Sequence, residues 1–550
     1  MTKFIIVAGG VISGVGKGVA TASLGKILKE HGYTTTLIKI DPYINGDAGT
    51  LRPTEHGEVW VTDDGGEIDQ DLGTYERFMN EAIPKKNNIT TGQIYKSVID
   101  KERAGHYLGQ TVQFVPHIID EVKHRIIAAS GDHEIAIIEI GGTVGDYENV
   151  PFLFALKRLE REIGANNMAY VLVTYLPIPD SIAEMKTKPT QQAIRLLGSE
   201  GILPDFILCR AKYPLDTERK KKIAEFAHIP LDHIISAPDI DTIYQIPLNF
   251  EAEGLGQKVL SHFGLTSRQQ PNWDNWQKLV TAIKNPERKV TIAIIGKYLT
   301  SGDYSMTDSY LSISQALTHA GADQNCGITL KWIDAQTFET DPTKLAQLNE
   351  VDGVIIPGGF GASGVEGKMK AIEYVRKNNI PYLGLCYGMQ LAAVEFARNA
   401  CGAPEAHTTE VDKDTLHPVV DILPLQKELL DQKDYGGTMR LGSYSAVVQK
   451  NSKVAQLYKG ATVIANGDVE VSERHRHRYE MNPAYVPMLE ENGLIFSGYH
   501  VRQDGTKLME FLELPDHAFF VATQAHPEFK SRFGNPNPLF AGFVKACMVE

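Results

Sequence analysis

Short runs of apolar, mostly β-branched residues recur along the chain and alternate with stretches of helical periodicity. The first run is residues 4–8 (FIIVA), a helical pattern follows from Val19 to His31, and residues 34–40 (TTTLIKI) predict the next strand. Strands that alternate with helices in this way are typical of a parallel α/β sheet. Further buried strands are predicted at residues 135–140, 169–175 and 205–209.

The alternation stops between about residues 266 and 290, where the sequence is polar and is bracketed by Pro271 and Pro286. We interpret this stretch as a linker that carries one short helix. The alternation then resumes, with a helix from about residue 308 to 320 and strands at residues 290–295, 353–356 and 381–385. The pattern therefore predicts two doubly wound parallel-sheet α/β domains, residues 1–266 and 288–550, joined by the linker 267–287.

Composition narrows the class of protein. The 550 residues are 43% hydrophobic, which is ample for large cores, and no apolar run approaches the roughly 20 residues of a membrane-spanning helix. Acidic residues outnumber basic ones, 68 to 55, which argues against a nucleic-acid-binding protein. Five widely spaced cysteines suit a reducing compartment. We expect a cytoplasmic protein that binds neither membrane nor nucleic acid.

A glycine-rich loop, residues 9–18 (GGVISGVGKG), lies between the first strand and the first helix. Backbone N–H groups in such a loop can converge on phosphate at the helix N-terminus, and Lys17 would reach the terminal phosphates. The loop has one residue more than the usual spacing, and Gly18 stands where a Ser or Thr would hold Mg²⁺. The alternative is a glycine-rich turn with a solvated lysine, but the strand–loop–helix context favours a P-loop-like phosphate site.

Two carboxylates could hold the metal in place of that hydroxyl. Asp71 and Glu139 are candidates, because an acid near the C-terminal end of a buried strand lies beside the phosphate loop in this architecture. Asp71 could instead be a turn residue, and Glu139 could be a helix-cap partner. Glu139 is the stronger candidate for a metal ligand, because an unpaired carboxylate in a sheet core is costly. Lys39 and the segment 186–191 (KTKPTQ) could contact phosphates or be ordinary surface.

A reactive thiol is predicted in the second half of the chain. An apolar strand enters PYLGLCYGMQ, where Cys386 is flanked by glycines and precedes a helix, as in a nucleophile elbow. His526 could accept the thiol proton, Glu528 could hold the imidazole, and the N–H groups of Tyr387 and Gly359 could stabilise an oxyanion. The alternative for Cys386 is a buried small hydrophobe. The segment 473–480 (ERHRHRYE) is either a basic surface strip or the source of an arginine that holds a substrate carboxylate.

These motifs resemble known families. GxCxGxQ, PGGFG and HPE are similar to the class I glutamine amidotransferases, and SGVGKG, KIDPYIN, EHGEVWVTDDGGE, DLGTYERF, EIGGTVGD and KTKPTQ resemble the CTP synthase family. The matches run in order from about residue 3 to 545. The resemblance implies a ligase in which ATP and Mg²⁺ phosphorylate O4 of UTP, and ammonia from glutamine crosses an internal channel to displace the phosphate. The first domain would be the synthetase and the second the glutaminase.

The resemblance also implies roles for individual residues. The ATP-binding residues would be Gly14, Val15, Gly16, Lys17, Gly18, Val19, Asp71, Asp239 and Ile240. The residues that contact UTP or inhibitory CTP would be Ser13, Asp146, Tyr147, Glu148, Lys186, Thr187, Lys188, Pro189, Thr190, Gln191 and Lys222. Glutamine would be bound by Gly359, Tyr387, Gly388, Met389, Gln390, Glu410 and Arg476, with the triad Cys386, His526 and Glu528. Lys39 would contact phosphate, Asp71 and Glu139 the metal, and His56 and Val59 would line the ammonia path.

The family is tetrameric, is inhibited by CTP and uses GTP as an allosteric activator, so the resemblance implies a homotetramer and leaves polymerisation open. In the loop that the family associates with GTP activation, Ser363 stands where an arginine is common. The segment 299–310, in the same region, is a few residues longer than is typical. Both departures weaken the expectation of strong GTP dependence. Two alternatives keep part of the pattern. An amidotransferase could act on another ATP-activated acceptor, such as a carboxylate, or the chain could be a nucleotide-controlled assembly protein without turnover.

Overall fold

The structure, a computed structural model, describes residues 1–51, 57–297, 300–301, 304–305, 307–422 and 439–549, with the side chains of residues 300–308 excluded. The chain divides into two compact units. The first comprises Met1–Thr50 and Glu67–Val280, and the second comprises Leu51–Gly66 and Thr281–Glu550. A short segment from the first half of the sequence therefore belongs to the second unit. None of the helices in the described ranges is both long and apolar enough to cross a membrane.

The first half of the chain alternates strands and helices. Its strands are β1 (Lys3–Gly9), β2 (Thr35–Asp41), β3 (Val59–Val61), β4 (Glu67–Asp69), β5 (Asn88–Thr90), β6 (Ile135–Ile140), β7 (Met168–Tyr175), β8 (Phe206–Ala211) and β9 (Ile234–Pro238). Its helices are α1 (Lys17–Glu30), α2 (Asp71–Met79), α3 (Thr91–Arg103), α4 (Ile119–Ser130), α5 (Val150–Ile163), α6 (Lys188–Ser199), α7 (Thr217–Ala227), α8 (Ile246–Ala252), α9 (Leu255–His262) and α10 (Asp274–Lys284). Strand β3 lies in the second unit.

Seven described strands form the sheet of the first unit, in the order β5-β2-β6-β1-β7-β8-β9, and all of them are parallel. Its central strands are buried on both faces, which explains runs such as IAIIEI that are apolar almost throughout. The polar exceptions, Lys39, Asp41 and Glu139, are close to the C-terminal ends of β2 and β6. Ligand sites of open parallel sheets form at that edge.

The second half begins with a similar alternation. Its strands are β10 (Arg288–Gly296), β11 (Thr300–Ser301), β12 (Tyr304–Ser305), β13 (Cys326–Asp334), β14 (Gly353–Ile356), β15 (Tyr382–Leu385), β16 (Ala406–Thr408), β17 (His417–Ile422), β18 (Arg440–Val448), β19 (Thr462–Val463), β20 (Val469–His477), β21 (Tyr479–Met481), β22 (Ile495–Val501), β23 (Lys507–Glu513) and β24 (Phe520–Thr523). Its helices are α11 (Leu311–Asp323), α12 (Gln336–Thr340), α13 (Val365–Lys377), α14 (Tyr387–Asn399), α15 (Lys453–Leu457), α16 (Val486–Glu491) and α17 (Pro538–Cys547).

The sheet of the second unit is mixed. Within the described ranges its order is β13-β10-β14-β15-β24-β23-β22-β18-β20-β19, in which the strands from β13 to β24 are parallel and the remaining pairings are antiparallel. The α/β class is confirmed. The sequence predicted a parallel sheet for this half of the chain, and it did not predict the antiparallel strands. Strands such as β18 and β20 have one face less buried than the other, so their apolar signal is weaker.

Candidate active sites

The glycine-rich loop connects β1 to α1 in the first unit. Gly14 and Gly16 have φ values of 72° and 93°, which favour glycine, and Gly16 caps the helix. Lys17 Nζ donates a hydrogen bond of 2.6 Å to the carbonyl of Gly142, and burial lowers the pKa of Lys17. Lys17 is 9% exposed, so the alternative of a solvated lysine is wrong. The loop thus places a helix N-terminus and a desolvated cation at the same sheet edge.

Lys39 joins the two carboxylates that the sequence proposed as metal ligands. The parallel register places Lys39 beside Glu139 on neighbouring strands. Lys39 Nζ lies 3.0 Å from Glu139 Oε1 and also donates to Asp71 Oδ2, while the Tyr75 hydroxyl donates to the other oxygen of Glu139. Burial lowers the pKa of Lys39, but Asp71, Glu139 and Asp41 raise it well above its usual value. Glu139 is therefore an ion-pair partner in the sheet core, and the helix-cap alternative is wrong.

These carboxylates fit a magnesium site completed by water and phosphate. A Cβ atom at Gly18 would lie 2.5 Å from Asp71 Oδ1 and 3.7 Å from Glu139 Oε2, so the missing side chain is what allows the Asp71 carboxylate to approach this turn. Burial, together with the neighbouring carboxylates Asp71 and Asp41, raises the pKa of Asp69 to about 8. No complete group of three His, Cys, Asp or Glu ligands occurs among the described residues. Mg²⁺ commonly takes one or two carboxylates together with substrate phosphates.

A pocket opens beside the phosphate loop. It is lined by Gly16 and Ala20 on one side and by Arg210, Pro238 and Phe250 on the other. Arg210 Nη2 donates to Asp239 Oδ1 at 2.9 Å, so Asp239 lies at this pocket, and Ile240 follows it in the chain. The structure therefore brings the two residues expected at the adenine to the same part of the unit as Gly16.

The residues expected to contact a pyrimidine nucleotide lie around the same edge. The N–H of Val144 donates to the carbonyl of Gly9, and Asp146 accepts a hydrogen bond from the N–H of Thr143. Tyr147 and Glu148 are exposed, as is Ser13. Within the segment 186–191, Thr190 is buried and accepts a hydrogen bond from Thr174.

Two lysines from this group converge on one carboxylate. Lys186 Nζ donates to Glu184 at 2.7 Å, and that hydrogen bond is the main reason that the pKa of Glu184 is lowered. Arg219 also pairs with Glu184, and the charge of Lys222 acts on it. The surface therefore combines three cations around one acid, an arrangement that can accept a polyphosphate.

Cys386 stands at a sharp turn between β15 and α14. Its φ of 50° is rare for a residue with a side chain, and its N–H donates to the carbonyl of Thr523 at 2.7 Å. A Cβ at Gly388 would lie 2.3 Å from the carbonyl oxygen of Ile356, so only glycine fits there. The strained turn directs the Cys386 thiol away from the sheet. The thiol stands at the N-terminus of a 13-residue helix.

The predicted base lies next to the thiol. His526 Nδ1 donates to Glu528 Oε1 at 2.7 Å, which leaves Nε2 free to act on Cys386. Burial lowers the pKa of His526, but the charge of Glu528 and the charge and hydrogen bond of Cys386 raise it to about 10. The structure thus brings together the three residues of the expected triad.

Gln524 is part of this site but was missed by the sequence analysis. Its Nε2 donates to Cys386 Sγ at 3.6 Å, and its Oε1 accepts a hydrogen bond of 3.1 Å from Gln390. Gln524 is fully buried directly after β24, two residues before His526. A polar residue that closes an apolar strand beside a catalytic candidate is the signal that could have identified it.

The PGGFG loop borders the thiol. The N–H of Gly361 donates to Glu410 Oε1 at 2.8 Å, and the Tyr387 hydroxyl donates to the carbonyl of Gly361 at 3.2 Å. Burial raises the pKa of Glu410. A Cβ at Gly358 would lie 2.8 Å from the His526 ring, so the loop passes directly over the imidazole. Gly359 is the next residue in this loop, and its Cβ position lies 3.9 Å from the Tyr387 ring.

Lys368 was also missed by the sequence analysis. Its side chain is fully buried, and its Nζ is 3.8 Å from the Cβ position of Gly359 and 5.6 Å from the centroid of the Tyr387 ring. Among the described residues it has no hydrogen-bond partner. Burial, with a smaller contribution from Lys297, lowers the pKa of Lys368 to about 7. Lys368 stands three residues after Val365 and four before Ile372, which is the spacing of the buried face of α13, and this position is the signal that could have identified it.

The remaining predicted residues have different environments. Gly388, Met389 and Gln390 are buried in the first turn of α14, whereas Arg476 is half-buried on β20. The basic-surface alternative for the segment 473–480 is wrong, because Arg474, His475 and His477 are buried. Val59 is buried on β3, and His56 lies outside the described residues. Ser363 accepts a hydrogen bond of 2.6 Å from Gln336.

Known sequences match both halves of this arrangement. The sequence model of the family described as "CTP synthase N-terminus" matches residues 3–265, and that of "Glutamine amidotransferase class-I" matches residues 305–546. CTP synthases from Thermococcus gammatolerans and Pyrococcus abyssi are 49% and 50% identical over 547 residues, which is 100% of this chain and 99% and 98% of theirs. The CTP synthase of Methanocaldococcus jannaschii is 48% identical over 553 residues, 100% of this chain and 99% of its own. The chain therefore belongs to the CTP synthase family of glutamine-hydrolysing ligases, which convert UTP to CTP with ATP.

Proposed function

We propose that the chain makes CTP through two separate reactions, glutamine hydrolysis at Cys386 and phosphorylation of UTP at the glycine-rich loop. The observation that supports this most strongly is the pair of sites in one chain. One has a Cys-His-Glu arrangement with a His526–Glu528 distance of 2.7 Å, and the other has Lys17 and two carboxylates beside a helix N-terminus. Neither site alone would perform the complete reaction.

In the second unit, Cys386 would act as the nucleophile. The thiolate attacks the amide carbon of glutamine, and the N–H groups of Gly359 and Tyr387 donate hydrogen bonds to the developing oxyanion. His526 donates its proton to the departing nitrogen, which releases ammonia and leaves a glutamyl thioester. Water then attacks the thioester carbon, His526 accepts the water proton, and glutamate leaves as the thiolate re-forms.

Recognition of glutamine would use groups around the thiol. We assign Glu410 and Arg476 to the charged end of the amino acid, because each side chain has a sign opposite to one of its groups. Gly388, Met389 and Gln390 would line the site at the first turn of α14. Glu410 already accepts the N–H of Gly361, so it also fixes the loop that carries Gly359.

In the first unit, O4 of UTP would attack the γ-phosphorus of ATP, and the bond to the ADP oxygen would break. Lys17 neutralises charge on the phosphates, and the N–H groups of residues 14–19 orient them. Lys39 would hold Asp71 and Glu139 in position for the metal and would contribute positive charge at the phosphates. Mg²⁺, when held by Asp71 and Glu139, supplies further neutralisation of the phosphate oxygens. Ammonia then attacks C4, and phosphate leaves.

The nucleotide bases would be recognised on either side of the loop. We assign the pocket beside Arg210, with Asp239 and Ile240, to adenine. Ser13, the segment 146–148 and the cations Lys186 and Lys222 would contact UTP or inhibitory CTP, with Thr187 to Gln191 completing the segment. Val59 and His56 would line the route of ammonia. Homotetramer formation, CTP feedback and activation by GTP are part of the same proposal.

The test is CTP formation from UTP, ATP and Mg²⁺, with nitrogen supplied as glutamine or as ammonium chloride, each with and without GTP. Cys386→Ala should abolish the glutamine reaction and retain the ammonia reaction. Cys401→Ala is the matched control, because this half-buried thiol is outside the proposed site and should change neither reaction. A Cys386→Ala protein that still uses glutamine, or a wild-type protein that makes no CTP from ammonia, would contradict the proposal.

A further inference from the structure

The segment Leu51–Gly66 belongs to the glutaminase unit although both of its chain ends lie in the synthetase unit. The chain leaves the first unit shortly after Asp41 and returns shortly before Asp71, so nucleotide-site residues flank the segment in sequence. Within the second unit, Glu58 accepts the N–H of Ser312 at 2.7 Å, and the carbonyl of Asp63 accepts the N–H of Ser443 at 2.9 Å. The segment is therefore fixed at two points of the glutaminase unit.

Trp60 of this segment is linked to the catalytic imidazole through one intervening ring. The Trp60 and Phe529 ring centroids are 5.0 Å apart at an angle of 60°, and Phe529 stacks on His526 at 5.2 Å and 18°. Trp60 is 1% exposed and Phe529 is 3% exposed, so the three rings have little freedom to move independently. The stack restricts the plane of the imidazole, whereas Glu528 fixes only its Nδ1 edge.

Asp63 is connected to His526 through Arg474. Asp63 Oδ1 accepts a hydrogen bond of 2.7 Å from Arg474 Nε, and the Arg474 carbonyl accepts the N–H of His526 at 2.7 Å. Arg474 Nη1 also donates to the carbonyl of Phe529 at 3.2 Å, and its guanidinium lies 5.3 Å from the centroid of the Trp60 ring. Arg474 is fully buried, so loss of its carboxylate partner would be costly. Two of the three supports of His526, the Phe529 ring and the Arg474 carbonyl, thus involve the same segment, and the third is Glu528.

We propose that Trp60 and Asp63 are positioning residues for the glutaminase reaction, which hold the catalytic imidazole in line with the Cys386 thiol through Phe529 and Arg474. This inference rests on the proposed triad. Neither residue touches glutamine or the reacting atoms in the proposed mechanism, so their contribution is orientation alone. A small misplacement of a catalytic group can lower the reaction rate about 100-fold. Loss of the Trp60 or Asp63 contacts can therefore lower kcat by up to this factor.

The first test compares Trp60→Phe with Trp60→Leu. The phenylalanine retains a ring against Phe529, whereas leucine removes it. Trp60→Leu should lower kcat for glutamine hydrolysis by at least about tenfold with little change in KM, and Trp60→Phe should recover most of that loss. Trp332→Leu is the matched control, because this tryptophan of the same unit stacks on Tyr310 and should leave kcat unchanged.

The second test uses Asp63→Asn, which retains the shape and the acceptor oxygen and removes the charge. We expect an intermediate loss of kcat, again without a matching rise in KM, because Arg474 keeps a hydrogen bond but loses its counter-ion. The rate of Cys386 alkylation by iodoacetamide should fall in parallel in Asp63→Asn and Trp60→Leu, since a displaced imidazole stabilises the thiolate less well.

Ammonia-dependent CTP synthesis separates the outcomes. It should stay within about twofold of wild type in all three variants if only the imidazole is misplaced. An equal loss of ammonia-dependent and glutamine-dependent activity would overturn the inference, as would a rise in KM without a fall in kcat or a wild-type kcat in Trp60→Leu. A wild-type protein that hydrolyses no glutamine would instead contradict the proposed function itself.

Discussion

The buried lysine beside the PGGFG loop gives the most quantitative prediction. Lys368 is 0% exposed and has no hydrogen-bond partner among the described residues, yet its ammonium group lies close to Gly359 and Tyr387. Replacement by methionine retains a flexible chain of similar length and removes the charge. We expect Lys368→Met to stabilise the second unit at neutral pH, because the folded protein no longer has to bury an ammonium group.

The magnitude follows from the pKa of Lys368, which burial lowers from 10.5 to about 7. Between these two pH values the unfolded chain binds a proton that the folded chain does not, so the free energy of unfolding of the wild type rises with pH. The cost of the buried lysine is of the order of 4 kcal/mol at pH 7 and about 2 kcal/mol at pH 9. The advantage of Lys368→Met should therefore shrink by about 2 kcal/mol over this range.

Urea unfolding at pH 7 and pH 9 measures this difference. Pulsed hydrogen exchange with mass spectrometry would follow peptides from residues 365–399, so that the transition of the second unit is read separately from that of the first. Effects of the methionine that do not depend on pH cancel in the comparison between the two pH values. Parallel pH dependence in wild type and Lys368→Met would refute the reasoning, and so would destabilisation by the substitution at pH 7.

Three further predictions concern the two sites. Gly18→Ala should displace Asp71 and lower ammonia-dependent CTP synthesis at least about tenfold while glutaminase activity remains. Gly198→Ala is the control, because a Cβ at Gly198 meets nothing closer than 3.9 Å. Unchanged CTP synthesis in Gly18→Ala would contradict the proposed metal position. Glu528→Gln should lower the pKa of His526 and reduce kcat for glutamine hydrolysis at least about tenfold, and a wild-type rate would remove Glu528 from the triad. Lys39→Met should destabilise the first unit by about 3–5 kcal/mol in urea unfolding, because Glu139 is left buried without its cation. An unchanged free energy of unfolding would show that Lys39 and Glu139 do not form an ion pair.

The sequence predicted the parts of the fold that depend on local pattern. Central strands of the first sheet, such as β6 (IAIIEI), are apolar almost throughout because both of their faces are covered, so their positions follow from composition over a few residues. The elbow at Cys386 is equally local, since a strand, two flanking glycines and a helix specify the turn within about ten residues. In both sites, the proposed nucleophile and the proposed phosphate loop could be predicted because backbone geometry demands particular residue types nearby.

Features that depend on distant parts of the chain could not be predicted in this way. The antiparallel half of the second sheet is joined by pairings such as β18 with β20, whose alternation is interrupted by buried charges. Lys368 and Gln524 have only local signals in the sequence, a helical spacing and a strand end, and the folded chain is needed to show that they lie beside Gly359 and Cys386. Burial of a polar group is a property of the whole unit, so a single sequence carries little signal for it.

The support of His526 shows why this distinction matters for function. The imidazole is oriented by Glu528 two residues away, by the Arg474 carbonyl on β20, and by the Phe529 ring that rests on Trp60. The first of these contacts was predictable from the HPE motif, whereas the other two join segments separated by roughly 50 and 470 residues. Trp60 and Asp63 lie on a segment whose flanking residues belong to the other unit, so the contacts that they make around His526 follow from the folded chain and from no local pattern.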